Sequence, residues 1–92
     1  MVYIWYMLFE YDNSKSASNK DKHGIDFEEA KKLWDDEYLI EIPVKSLDEQ
    51  RFLIIGLIGQ IHWSAIVTYR EGKIRIISVR RSRIEEVRIY EG

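Results

Sequence analysis

Between Lys73 and Arg83 the chain carries five bases, Lys73, Arg75, Arg80, Arg81 and Arg83, and no acid, although its net charge is −2. Guanidinium forks bind phosphate oxygens in pairs, and the free N–H groups at a helix start attract anions. A cluster placed where a strand gives way to a helix therefore suits a phosphate. His62 and Arg70, further up the chain, add the rest of what phosphodiester chemistry needs. Metal-free RNA cleavage calls for a base to take the 2′-hydroxyl proton, cations to stabilise charge gathering on phosphorus, and a proton donor for the leaving oxygen. An imidazole can move protons near neutral pH, whereas a guanidinium can only stabilise charge. Lys22-His23-Gly24 offers a second imidazole beside an ammonium. Each feature also has a plain structural explanation. The arginines could pair with acids elsewhere, His62 could make an ordinary hydrogen bond, and Lys22 and His23 are favoured at a helix C-terminus by the helix dipole.

Other chemistries find less support. Two histidines 39 positions apart and no cysteine make a feeble metal signal, so neither a metal nor a cofactor is expected. Asp35-Asp36-Glu37 reads as a solvated helix end, no Gly-rich phosphate loop or nucleophile elbow is present, and Ser64 near His62 lacks an orienting acid. Tyr69 and Tyr90 are candidates for stacking on bases, and Trp63 is expected in the core. The absence of cysteine also excludes disulfides and suits a reducing cytoplasm, the expected location. The apolar run VYIWYMLF is far shorter than the roughly 20 residues of a membrane helix and reads as a strand, so no membrane association is expected.

Charge is unevenly spread. Residues 26–50 hold nine acids against three lysines, whereas residues 70–92 hold seven bases against four acids, so a polyanion could dock locally on a formally acidic protein. Ninety-two residues suit one domain spanning residues 1–92, and three Trp, six Tyr and three Phe are ample for its core.

The elements that must position these groups follow from local patterns. Residues 2–9 read as a first strand. The polar stretch after it has Asp12 or Asn13 as N-cap and Gly24 as C-cap, which predicts a helix with little packing, since Ala17 is nearly its only interior apolar residue. Asp26 and Glu29 form a capping-box pattern ahead of a second helix, DFEEAKKLWDD, with Phe27, Ala30, Leu33 and Trp34 on one face. LIEIPV reads as a short strand or edge piece. RFLIIGLI, IHWSAIVTYR and KIRIISVR, joined by turns at Gly59 and Glu71-Gly72, predict three antiparallel strands. Ser82 with Glu85 repeats the capping pattern and predicts a last helix in which Ile84 and Val87 pack. The fold class is α+β, with two N-terminal helices packed on an antiparallel sheet and a short C-terminal helix.

Read together, FEYD at 9–12, KHGIDFEEA at 22–30, HWSAIVTYREGKIRIISVRRSR at 62–83 and EEVRIYE at 85–91 give the chain its resemblance to the BrnT-type toxins of bacterial type II toxin-antitoxin systems. That resemblance implies a small RelE-like domain that inhibits translation by cutting RNA. It implies as partners an RNA substrate and a ribbon-helix-helix antitoxin of the BrnA type, with operator DNA bound only through the toxin-antitoxin complex. Carried over by position, it implies a catalytic set of His62, Arg70, Arg80, Arg81, His23 and Lys22, with Arg51, Arg75 and Arg83 contacting RNA. The alternative is a non-catalytic module whose basic surface docks an antitoxin or nucleic acid.

Overall fold

The computed structural model describes residues 8–92. Strand β1 (Leu8–Glu10) leads into helix α1 (Asn13–His23) and a single helical turn, α2 (Phe27–Ala30), which continues as a 3-10 turn over Lys31–Asp35. Strands β2 (Ile40–Val44), β3 (Arg51–Ile58), β4 (Ile61–Arg70) and β5 (Lys73–Arg81) follow, and helix α3 (Ile84–Glu91) closes the chain. The first strand expected at residues 2–9 is seen only in its last part, because residues 2–7 lie outside the described residues.

The sheet runs β1-β5-β4-β3-β2, and it is mixed where the strand pattern predicts an antiparallel one. The two hairpins force β3, β4 and β5 into antiparallel register, and β2 pairs with β3 the same way. Strand β1 instead reaches the free edge of β5 from the far end of the chain and lies parallel to it, Leu8 opposite Lys73 and Glu10 opposite Arg75. No turn joins these two strands, so no local signal could fix their direction. Glu71 and Gly72 both take positive φ, 51° and 78°, as a two-residue hairpin turn demands.

Both layers on the main core face come from short-range patterns. The Asp26/Glu29 capping box forms as expected, with Asp26 Oδ1 accepting from Glu29 N at 2.8 Å and Glu29 Oε1 accepting from Asp26 N at 2.9 Å. Phe27, Ala30, Leu33 and Trp34 are buried against Ile54, Trp63, Ala65, Val67, Ile76 and Val79. The expected single helix tightens to 3-10 geometry after Ala30, which brings Leu33 down onto β3. There Gly56 leaves room for the close approach, since a Cβ would stand 3.1 Å from Leu33 Cδ2 and 3.3 Å from Asp36 Oδ2 and the two side chains would have to give way.

Helix α1 departs from the expectation of slight packing. Asp12 caps it and Gly24, at φ 79°, ends it, but Ala17 is exposed and the packing is polar. Asn19 is buried and works as a substitute strand: its Nδ2 donates to Val79 O at 2.8 Å and its Oδ1 accepts from Val79 N at 3.2 Å. Nδ2 also donates to Ile25 O, and buried Ser16 Oγ accepts from Phe27 N, both at 2.8 Å. Beyond Arg75, where β1 stops, the edge of β5 is thus closed at Val79 by a side-chain amide.

Helix α3 packs on the opposite face of the sheet, over Ser64 and the fully buried Ile55. Its cap differs from the expected Ser82/Glu85 pair by one residue. Arg83 is the N-cap, and Glu86 Oε1 accepts from Arg83 N at 2.8 Å. Arginine has no acceptor, so this is half a capping box. Ser82 Oγ is instead 2.7 Å from Ser64 Oγ. Ile84, expected to pack, is exposed.

Candidate functional site

Register decides which basic residues share a surface. His62, Ser64, Ile66, Thr68 and Arg70 alternate onto the face that α3 partly covers, while Trp63, Ala65 and Val67 enter the main core. On β5 the pairing skips Ile77, since Ile66 faces Ser78 and Val67 faces Ile76. This bulge reverses the alternation, so that Arg75 (opposite Thr68) and Arg80 (opposite Ser64) lie on the α3 face and Arg81 (opposite Trp63) on the other. His62 and Arg70 share that face but stand at opposite ends of β4, roughly 27 Å apart at about 3.4 Å per residue. The nine residues singled out in the sequence therefore divide into two groups.

The first group occupies the end of the sheet where β4 begins and β5 finishes. His62 O accepts from Ser82 N at 3.1 Å, which ties its backbone to the residues ahead of α3, while its imidazole lies against the last turn of that helix. Its Nε2 lies 2.6 Å from Glu91 Oε2, and its ring meets Tyr90 edge-on with centroids 5.3 Å apart. Tyr90 in turn donates its hydroxyl to Asp36 Oδ2 at 2.6 Å. Burial, followed by this bond to a carboxylate, pushes the Tyr90 hydroxyl up to about 12. Burial would raise Asp36, but hydrogen bonds from Tyr90, Leu57 N and Tyr38 N outweigh it and hold the carboxyl below its ordinary value.

Arg80 is not a free cation. Its Nη1 and Nη2 each sit 2.7 Å from an oxygen of Glu86, which is itself buried and accepts from Ser64 Oγ at 2.9 Å as well as from Arg83 N. The fork from Arg80, ahead of the bonds from Arg83 N and Ser64, pulls the Glu86 carboxyl down to about 2 despite its burial. Arg81 and Arg83, by contrast, have no carboxylate partner among the described residues; Arg81 lies over the Trp63 ring, 5.7 Å from its centroid. Lys22 and His23 are exposed at the end of α1, one helical turn past the Asn19–Val79 clasp, and they too lack a carboxylate partner among the described residues.

The second group is a row across the open part of the same sheet face. Arg51 and Arg75 flank Thr68 on the two neighbouring strands, their backbones roughly 10 Å apart, with Arg70 one step along. Arg75 Nη1 reaches Glu10 Oε2 at 3.3 Å, and Arg70 Nη2 reaches Glu49 Oε1 at 3.2 Å. Arg51 Nε is buried without a hydrogen-bond partner among the described residues. Thr68 itself is occupied with Gln50 O, at 2.7 Å. This row holds no imidazole and lies roughly 20 Å from His62.

The aromatic candidates are engaged elsewhere. Trp63 is in the core as expected, Tyr69 packs on Phe52 and donates to Glu41, and Tyr90 is held between His62 and Asp36. Sequence reasoning missed Glu86 and Glu91 and gave Tyr90, which stands between them on α3, a different role. The 86/90 spacing puts Glu86 and Tyr90 on one face of α3, a signal that would have flagged them once that face was known to meet the sheet. No helix among the described residues is long and apolar enough to cross a membrane, and no group of three or more His, Cys, Asp or Glu among them could hold a metal ion.

The end region can therefore fix an imidazole with a carboxylate, and it carries guanidinium groups on both faces of the sheet, the kinds of group that phosphodiester chemistry uses. No curated protein matches the sequence. Residues 11–86, however, match the family described as the ribonuclease toxin BrnT of type II toxin-antitoxin systems, and the chain belongs to that family.

Proposed function

We propose that this toxin is a metal-independent endoribonuclease that cuts RNA at the His62 end of its sheet and so stops translation. His62 takes the 2′-hydroxyl proton, and the 2′-oxygen bonds to phosphorus as the bond to the 5′-oxygen breaks. That oxygen leaves protonated, giving a 2′,3′-cyclic phosphate and a 5′-hydroxyl. Arg81 and Arg83 stabilise the charge that collects on the phosphoryl oxygens, and Lys22 and His23 are the candidate proton donors. Arg51, Arg70 and Arg75 hold the strand further along. The observation that carries this reading is the carboxylate-held imidazole at the end of the sheet where Arg81 and Arg83, which lack carboxylate partners among the described residues, also lie.

The wider reading comes with the family. We take the domain to be RelE-like and cytoplasmic and its antitoxin to be of the ribbon-helix-helix type, with operator DNA bound only by the complex. The test is incubation of purified toxin with single-stranded RNA in EDTA. Cleavage to cyclic-phosphate ends is expected, falling at least about 100-fold in His62→Gln. Intact RNA, or cleavage that needs a divalent ion, would sink it.

A second reading, a basic surface that docks a partner without chemistry, is favoured by one observation: Arg70, Arg75 and Arg80 already have carboxylate partners. Tight antitoxin or RNA binding with RNA left whole after long incubation would select it.

A further inference from the structure

We propose that Glu91 is the positioning residue for His62, fixing the tautomer in which Nδ1 is the proton acceptor. The inference rests on the ribonuclease reading above and reaches a residue outside the segment, 11–86, that matches the family. A carboxylate only accepts, and a neutral imidazole has a single N–H. With Glu91 Oε2 at 2.6 Å from Nε2, that hydrogen sits on Nε2 and the lone pair is left on Nδ1. The bond also aims the ring, and Tyr90 stands against it edge-on, the two planes at 83°.

The support behind the pair is continuous. Tyr90 is anchored through its hydroxyl to Asp36, and Asp36 Oδ2 also accepts from Leu57 N at 2.8 Å while its Oδ1 accepts from Tyr38 N at 3.0 Å. The last turn of α3 thus brings a wall and an acceptor to one imidazole, with the wall tied through Asp36 to the edge of β3 beyond β2. Such a backing group usually changes the activity of the group it holds by about 10- to 100-fold. Glu91 is itself 59% exposed, so its loss should leave the core untouched.

The experiment uses the full chain labelled with ¹⁵N at histidine. Two-bond correlations of the ring protons report the tautomer, and His23, which makes no side-chain hydrogen bond among the described residues, is the reference in the same spectrum. Wild-type His62 is expected as the Nε2–H form. Glu91→Ala is expected to mix the tautomers and lower kcat on single-stranded RNA by about 10- to 100-fold, with KM and the melting temperature nearly unchanged. Glu91→Gln, whose amide oxygen can accept the same hydrogen, should restore the tautomer and part of the rate. An Nδ1–H form in the wild type, or full kcat in Glu91→Ala, overturns the proposal while leaving the ribonuclease reading standing. Wild-type protein that leaves RNA intact removes that reading, and with it the role given to Glu91.

Discussion

The two ends of strand β4 carry similar charge and are built differently. At the His62 end the acids are part of the frame: Glu86 is buried, makes four hydrogen bonds of 2.7–2.9 Å and locks Arg80, while Glu91 holds the imidazole at 2.6 Å. At the Thr68 row the distances from Arg70 and Arg75 to carboxylates run 3.2–3.5 Å, and Arg51 has no such partner among the described residues. Close pairs fix geometry; longer ones are worth little and can be exchanged for a phosphate. The difference teaches that the first end is suited to placing reacting groups and the second to holding a charged strand.

Breaking the buried pair should have the largest effect. Glu86→Ala strands the Arg80 guanidinium and unlatches the start of α3, and should cost about 3–5 kcal/mol in chemical denaturation. Replacing both partners, as Glu86→Leu with Arg80→Met, should cost distinctly less, because no charge is then left buried without a partner. Equal losses in the single and double variants would show that Glu86 matters through its bonds to Ser64 and Arg83 N instead.

Acid sharpens the same contrast. Folding holds the Glu86 carboxyl at about 2, below its ordinary 4.5, so its contribution is complete above about pH 4.5 and is lost as the pH falls towards 2. Unfolding followed by circular dichroism should therefore show a loss of stability in that window that Glu86→Gln flattens.

Smaller effects separate neighbours on β5. Arg81→Ala removes a cation over Trp63 and should cost about 0.5–1 kcal/mol, yet it should slow RNA cleavage far more than that loss of stability explains. At the other end, Arg70→Ala should cost well under 1 kcal/mol. It should lower the salt dependence of single-strand RNA binding by about 0.7 in log-log slope for each phosphate that is no longer neutralised. An unchanged slope would take Arg70 out of the RNA path.

Much of the framework is written locally. The Asp26/Glu29 box, the Glu71-Gly72 turn and the alternation of Trp63, Ala65 and Val67 need only near neighbours to be read. What escaped depends on groups distant in the chain. Asn19 reads as a polar helix residue until Val79, 60 positions on, supplies its partners. The parallel placement of β1 has no turn to announce it, and the skip at Ile77, which puts Arg80 rather than Arg81 on the face of Arg75, leaves no mark in an apolar strand. The separation of His62 from Arg70 was legible, since eight positions on one strand already set it. The link from His62 to Glu91 was not, because it depends on how α3 lies on the sheet.

The most direct measurement replaces one ribose. Once the toxin's cut in a defined RNA is mapped, the same strand is made with a single 2′-deoxy sugar on the 5′ side of that linkage and incubated with enzyme in EDTA. Attack by the neighbouring hydroxyl predicts that this one cut disappears while others persist; a cut that continues at the deoxy position would contradict the account.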